Sequence, residues 1–219
     1  VAKELPPKSE QVLFCKMSDE QAEYYEKIKS EYRNVLLEQS LDELLKKSQI
    51  QILQGLSKLR QLANHPLMID EHYTGDSGKF ENVIHTLDNV LSRGHKVLIF
   101  SQFVKQLDIY RNYFHKKKIQ YAYLDGSTRN REEVVNGFRN NGDIKLFLIS
   151  IKAGGVGLNL IEADYVFILD PWWNPAVEQQ AIDRSHRIGQ TKNVFIYKFI
   201  TKDSVEEKIL ALQQRKKII

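Results

Sequence analysis

The 219-residue sequence is short of several things that would each point to a class of protein. It has one cysteine, Cys15, which excludes an internal disulfide and suits a reducing cytosol. No run approaches the ~18 apolar residues of a membrane span, so no membrane partner is expected. The opening VAKELPPKSE lacks the apolar core of a signal peptide. The histidines at 65, 72, 85, 95, 115 and 186 form no HxH or HExxH pair, and no structural metal is expected. A phosphate-binding loop of the GxxxxGK[ST] kind is missing too. GDSGKF, from Gly75 to Phe80, imitates one, but it has the wrong spacing, follows no strand, and places Phe80 where magnesium needs a hydroxyl. LMIDEHY imitates a strand ending in paired carboxylates, yet Pro66 stands directly before it. Both read as linker, and without such elements the chain cannot hold magnesium-nucleotide by itself. Val1 in first place and the closing RKKII read as cuts from something longer.

What is present has a basic tilt. A net charge of +4 and a pI near 8.9 mildly favour an anionic partner. Residues 1–75 carry one pattern. EQVLFCKM reads as a strand, and Ser18 then caps a helix, with Gln21 placed as in a capping box. Tyr25, Ile28, Tyr32 and Val35 follow at helical spacing. The charged DELLKKSQ leads to a second helix with Ile52, Leu56, Leu59 and Ala63 on one face, stopping before Pro66. This part is expected to be a helical appendage, joined through a linker at HYTGDSGK.

From 79 to 200 the pattern is βα alternation. A helix with Ile84, Leu87 and Leu91, closed by Gly94, precedes the strand KVLIF. A helix with Phe103, Leu107, Tyr110 and Phe114 precedes QYAYL. Another around Val134, Val135 and Phe138 precedes KLFLIS, and then come YVFILD, a helix, and NVFIYKF. Residues 201–219 add a last helix with Val205, Ile209 and Leu212. Short apolar runs between helices predict an α/β fold with a parallel sheet covered on both faces. Ligands gather beyond the carboxyl ends of such strands. Those ends are SQF, DGSTR, SIKAGGVGLN and DPWWNP.

Four stretches could carry chemistry. In QAIDRSHRIGQ, read as a helix ended by Gly189, the residues Gln180, Arg184 and Arg187 share one face. That face meets either water or something anionic. Gly154, Gly155 and Gly157 allow close backbone approach, as a phosphate-facing loop or simply a tight turn requires. DGSTR suits a phosphate at a helix start, or plain N-capping by Ser127 or Thr128. In DPWWNP two adjacent tryptophans cannot both point inward easily, so one is a candidate for a base or groove contact.

KVLIFSQF, YLDGST, LISIKAGGVGLNL, DPWWNP and QAIDRSHRIGQ, in this order, resemble the second, C-terminal RecA-like lobe of Swi/Snf-type ATPases, a branch of helicase superfamily 2. LPPKSE, SDEQAEYYEKI and LRQLANHP are similar to the family's helical segment before that lobe, so the resemblance covers nearly the whole chain. It implies a RecA-like parallel sheet flanked by helices with an N-terminal helical insertion. The segments would be a strand and helical part at 1–75, the lobe at 79–200 and an exit helix at 201–219. It further implies that Arg184 and Arg187 are arginine fingers, with Gln180 filling the pattern's glutamine, directed at ATP and Mg²⁺ held mainly by a first lobe. Asp183 could pair with Arg187 and orient it. Gly155 and Gly157 would lie against the nucleotide cleft. Ser101, Gln102, Gly126, Ser127 and Thr128 would fall on the nucleic-acid side, with Lys152 on a phosphate and Trp173 on the duplex. Ile151 stands where many relatives have threonine, so no side-chain contact is expected there.

The function so implied is the second motor lobe of an ATP-dependent double-stranded-DNA translocase. Its partners would be duplex DNA, the first RecA-like lobe and a DNA-bound protein that is remodelled. It would work in the nucleoid cytoplasm of a prokaryote or in the nucleus of a eukaryote. The alternatives are the lobe of an RNA helicase, against which LRQLANHP and WNP argue, and a non-catalytic docking module.

Overall fold

The computed structural model describes residues 4–37, 41–153 and 158–218. Gly155 and Gly157 lie outside them, and so does the Val35 side chain. One six-stranded sheet organises the chain: β1 (Lys8–Cys15), β2 (Val97–Ser101), β3 (Ala122–Leu124), β4 (Leu146–Ser150), β5 (Tyr165–Ile168) and β6 (Val194–Thr201), in the spatial order β1-β6-β5-β2-β4-β3. Every pairing is parallel. β2, β4 and β5 are buried along their whole length, which is why they read as unbroken apolar runs.

Alternate residues serve opposite faces. Leu98, Phe100, Phe147, Ile149, Val166 and Ile168 pack with Phe138 of α5 (Arg131–Asn140) and with Ala181 and Ile182 of α6 (Pro175–Asp183). Val97, Ile99, Leu146, Leu148 and Phe167 meet Val83 and Leu87 of α3 (Gly78–Ser92) and Leu107, Tyr110 and Phe114 of α4 (Val104–Lys116). The expected QYAYL strand shortens to its last three residues.

The N-terminal part is more than an appendage. β1 pairs along its full length with β6, from Lys8 opposite Val194 to Cys15 opposite Thr201. α1 (Asp19–Leu37) and α2 (Leu41–Asn64) pack through Tyr25, Leu62 and Ala63. Tyr25 Oη accepts from Val205 N–H at 2.8 Å, tying α1 to the start of α7 (Val205–Ile218), and Thr201 Oγ1 donates to the Ala63 carbonyl at 2.6 Å, tying α2 to the end of β6. α2 runs as one helix through the charged stretch. Of its expected apolar face, Ala63 is buried, whereas Ile52 is 48% exposed. Ser18 caps α1, accepting from Gln21 N–H at 3.2 Å. Gln21 does not close the capping box. Its buried amide donates to the Leu62 carbonyl at 2.9 Å and accepts from Gly78 N–H at 3.0 Å, since buried main-chain groups claim it first.

The linker reading fails at its last three residues. Ser77 caps α3, accepting from Phe80 N–H, and donates to the Asn64 carbonyl at 2.7 Å. Gly78 is so close to β1's exit that a Cβ would stand 1.8 Å from the Lys16 carbonyl oxygen. Lys79 is fully buried. Its ammonium donates to Asn64 Oδ1 at 2.8 Å, to the Leu169 carbonyl at 2.7 Å and to Glu206, whose same oxygen accepts from Thr201 N–H.

Candidate nucleotide and nucleic-acid interface

The sheet order brings the carboxyl ends of β5, β2, β4 and β3 side by side, so DPWWNP, SQF, SIKA and DGST form one row. Two side chains knit it. Asp170, fully buried, lies 2.6 Å from Ser101 Oγ and accepts from Gln102 N–H at 3.1 Å. Burial raises its pKa, against the lowering by the Ser101 hydrogen bond and the Lys79 charge. Arg131 joins the other pair of loops, donating to the Ala153 carbonyl at 2.7 Å and to Thr128 O at 3.4 Å.

This corrects one expectation. Ser101 has no exposed surface, and its hydroxyl also accepts from Phe103 N–H at 3.0 Å, so it braces the row from beneath and presents nothing to a nucleic acid. Gln102 is half-buried, with its amide between Arg60 at 2.9 Å and the Pro171 carbonyl at 3.2 Å.

DGST is a tight turn rather than a helix start. Asp125 Oδ1 accepts from Ser127 N–H at 2.8 Å and from Ser127 Oγ at 2.6 Å. Asp125 N–H donates to Thr128 Oγ1, and Thr128 N–H donates to the Asp125 carbonyl. The Ser127 bond and then that of Tyr123 lower the Asp125 pKa and keep the carboxylate charged. α5 starts later, with Asn130 at its cap position, so neither Ser127 nor Thr128 caps it. Gly126 and Ser127 are exposed, Thr128 is half-buried, and Lys152 is exposed in the short 3-10 turn after β4.

α6 ends at Asp183, a turn earlier than its sequence suggests. The Arg184 carbonyl, which the next helical turn would need, accepts from Leu160 N–H at 2.9 Å. Gly189 (φ +102°) closes the following turns. The arginines therefore have different surroundings. Arg184 is 9% exposed, with its guanidinium 5.4 Å from the centre of the Phe100 ring, and burial lowers its pKa. That face therefore meets an apolar ring as well as the surface. Arg187 is half-buried and donates to the Leu158 carbonyl at 3.5 Å, beside the loop after β4. Gln180 is exposed. Asp183 accepts from Gln179 at 2.7 Å and makes no ion pair with Arg187.

The tryptophans divide as expected: Trp172 is 3% exposed and packs in the core, while Trp173 is 37% exposed. Among the described residues no three His, Cys, Asp or Glu side chains stand together as a metal centre requires, and no helix is long and apolar enough to cross a membrane. Asp170, Arg131, Lys79 and Gln213 were not singled out from the sequence. Only Asp170, closing β5 inside DPWWNP, carried a local hint.

An all-parallel sheet with polar loops along its carboxyl edge, and arginine-bearing turns between α6 and the last strand, is a RecA-like lobe. Residues 78–189 match the family model described as the helicase conserved C-terminal domain, and residues 1–68 match that of the SNF2-related domain. The chain is 38% identical over 224 residues to the mouse (Mus musculus) SWI/SNF-related matrix-associated actin-dependent regulator of chromatin subfamily A member 1, covering 96% of this chain and 21% of that protein. The crystal structure of the C-terminal part of the Fun30 ATPase domain superposes with a TM-score of 0.82 at 29% identity, covering 96% of this chain and 90% of that one. The Sulfolobus solfataricus SWI2/SNF2 ATPase core in complex with dsDNA gives 0.83 at 33% identity, covering 97% and 45%. The chain belongs to the helicase conserved C-terminal domain family, as the C-terminal RecA-like lobe of a Swi/Snf-type superfamily 2 ATPase. It spans about a fifth of the length of the curated relatives it matches.

Proposed function

We propose that this lobe is the second half of an ATP-driven motor that translocates on double-stranded DNA and remodels DNA-bound protein. The observation that carries the reading is Arg187. It is half-buried at the loop after β4, and its one hydrogen bond among the described residues is a long one, to Leu158. Several guanidinium N–H groups are left to meet an anion. ATP with Mg²⁺, held mainly by a first lobe, supplies the phosphoryl group whose developing charge an arginine can offset. Arg187 and Arg184 act as the fingers, Gln180 extends the same edge, and Asp183 shapes it through Gln179. Gly155 and Gly157, outside the described residues, are assigned to the nucleotide on the family resemblance alone. This chain, which carries no phosphate-binding loop, turns over no ATP alone.

Along the row of strand ends, Gln102, Gly126, Ser127, Thr128 and Lys152 meet phosphates, and Trp173 meets the duplex. Ser101 contributes through Asp170. The likeness to a core solved with duplex DNA supports this side of the reading. Such a grip is independent of base sequence and weakens steeply with salt.

The test is hydrolysis by the full-length protein with duplex DNA, duplex RNA and single strands. Duplex DNA is expected to stimulate most, with the half-saturating concentration rising at least about tenfold between ~50 and ~200 mM salt. Equal stimulation by duplex RNA would favour an RNA helicase. DNA binding with no stimulated hydrolysis would leave a docking module.

A further inference from the structure

The tryptophan loop owes its path to the helix after the last strand. We propose that α7 is a positioning helix, which holds the main chain at residues 169, 172 and 173 and thereby sets how Trp173 is presented. At its first turn, Glu206 holds Lys79, and Lys79 donates to the Leu169 carbonyl at 2.7 Å. Two turns on, Gln213, 1% exposed, donates from one amide nitrogen to the Trp172 carbonyl and, at 2.8 Å, to Glu178 Oε1. Glu178 is itself buried and ion-paired with Lys198 at 2.7 Å. Near its end, Lys216 donates to the Trp173 carbonyl at 3.2 Å. Glu206 and Gln213 stand seven residues apart, hence on one helix face, and Lys216 lies one turn beyond.

These contacts go to carbonyls rather than to indole rings. They fix the loop whatever the side chains do. They matter because Pro171 and Pro175 bracket the loop and it belongs to no strand. Displacing α7 would remove these holds on the loop, together with the Gln213 bond to Glu178 of α6. The consequence for DNA rests on the proposed role of Trp173; the consequence for Trp173 itself does not.

The chain has two tryptophans, one buried and one at the surface, so intrinsic fluorescence reports the loop directly. Acrylamide quenching is measured on the wild-type chain, Lys216→Ala, Lys216→Arg and Gln213→Met, each with a thermal melt. In the full-length protein, the same variants are titrated with duplex DNA. Lys216→Ala and Gln213→Met are expected to raise the quenching constant and to raise the DNA half-saturation about 2- to 10-fold, the weight of one lost hydrogen bond. DNA-free hydrolysis should stay within about twofold, and Lys216→Arg should restore both readouts. Lys216 is on the surface, so its variant tests the idea even if Gln213→Met folds poorly. Unchanged quenching in both variants overturns the proposal. So does a lowered melting temperature with neither quenching nor half-saturation moved. Raised quenching with unchanged half-saturation upholds the positioning role and removes Trp173 from the duplex contact instead.

Discussion

Lys79 and Arg187 are both cations set into the body of the lobe, and their surroundings are opposite in kind. Lys79 has no exposed surface, and its ammonium faces three acceptors, from α2, from the end of β5 and from α7. Every donor that an ammonium offers is spent inside the protein. Arg187 stands at an edge with, among the described residues, one long bond to a main-chain oxygen. A buried charge must be fully paired or it destabilises the fold. A half-buried one at the rim can keep donors for a ligand. On the proposed reading the same positive charge serves structure in one place and chemistry in the other, and the number of filled donors separates the two.

The widest split should appear on replacing Arg187. In the full-length protein, Arg187→Ala is expected to lower DNA-stimulated hydrolysis by about 10³-fold or more, the usual weight of an arginine finger. Duplex-DNA affinity should stay within about twofold. Arg187→Lys should not rescue, because an ammonium lacks the planar fork of donors. Single-turnover hydrolysis beside DNA binding checks this. Near-normal hydrolysis would return the segment to a solvated helix end and erase the contrast with Lys79.

Lys79→Met should do the reverse. It leaves Glu206 buried without its cation, at a cost of about 3–5 kcal/mol in urea unfolding. Lys79→Met/Glu206→Met should recover part of that loss, since removing both charges ends the uncompensated burial. Recovery stays partial, because the Leu169 carbonyl loses its partner in both variants and Thr201 N–H loses Glu206 in the double one. A single variant within about 1 kcal/mol of wild type would show that the lysine does not hold these elements together.

The contrast also explains what the sequence disclosed. The central strands were legible because burial on both faces writes itself as an unbroken apolar run. The row of loops followed from the rule on carboxyl ends, and the split of the tryptophans from the difficulty of burying two neighbours. Lys79 was illegible. It sits in a polar, glycine-containing stretch that locally reads as linker, and its partners Asn64, Leu169 and Glu206 are spread across the chain. Asp170 and Arg131 were missed for the same reason: their work lies in hydrogen bonds between loops that meet only in the fold. The early end of α6 was equally hidden, because the competitor for its carbonyl is Leu160 N–H, from another loop. Ser101 misled in the opposite sense, since a polar residue at a strand's end reads as surface until the carboxylate beside it is seen.

His65 offers a smaller test on the same corner of the molecule as Lys79. It follows Asn64, and burial lowers its pKa from 6.5 to about 4, with the Asp76 charge opposing. Its Nδ1 accepts from Leu67 N–H at 3.2 Å, which needs the neutral ring. Here the folded pKa lies below the unfolded one, so between the two the unfolded chain binds more protons. The stabilisation is therefore complete above pH 6.5 and is lost as the pH falls from there toward about 4. The shift corresponds to about 3 kcal/mol across that window. Carboxylates titrate near its lower end, so the comparison is with His65→Asn, in which they titrate alike. The variant should be less stable than wild type at neutral pH, having lost the ring's packing against Tyr73 and Phe80. Its disadvantage should shrink as the pH is lowered, because only the wild type gains a proton at this position on unfolding, when the ring becomes exposed. Urea midpoints at several values between pH 7 and pH 4 measure that narrowing. Two curves falling in parallel would mean that His65 takes up its proton in the folded state without cost, and that this corner tolerates a charge which Lys79 needs three partners to bury.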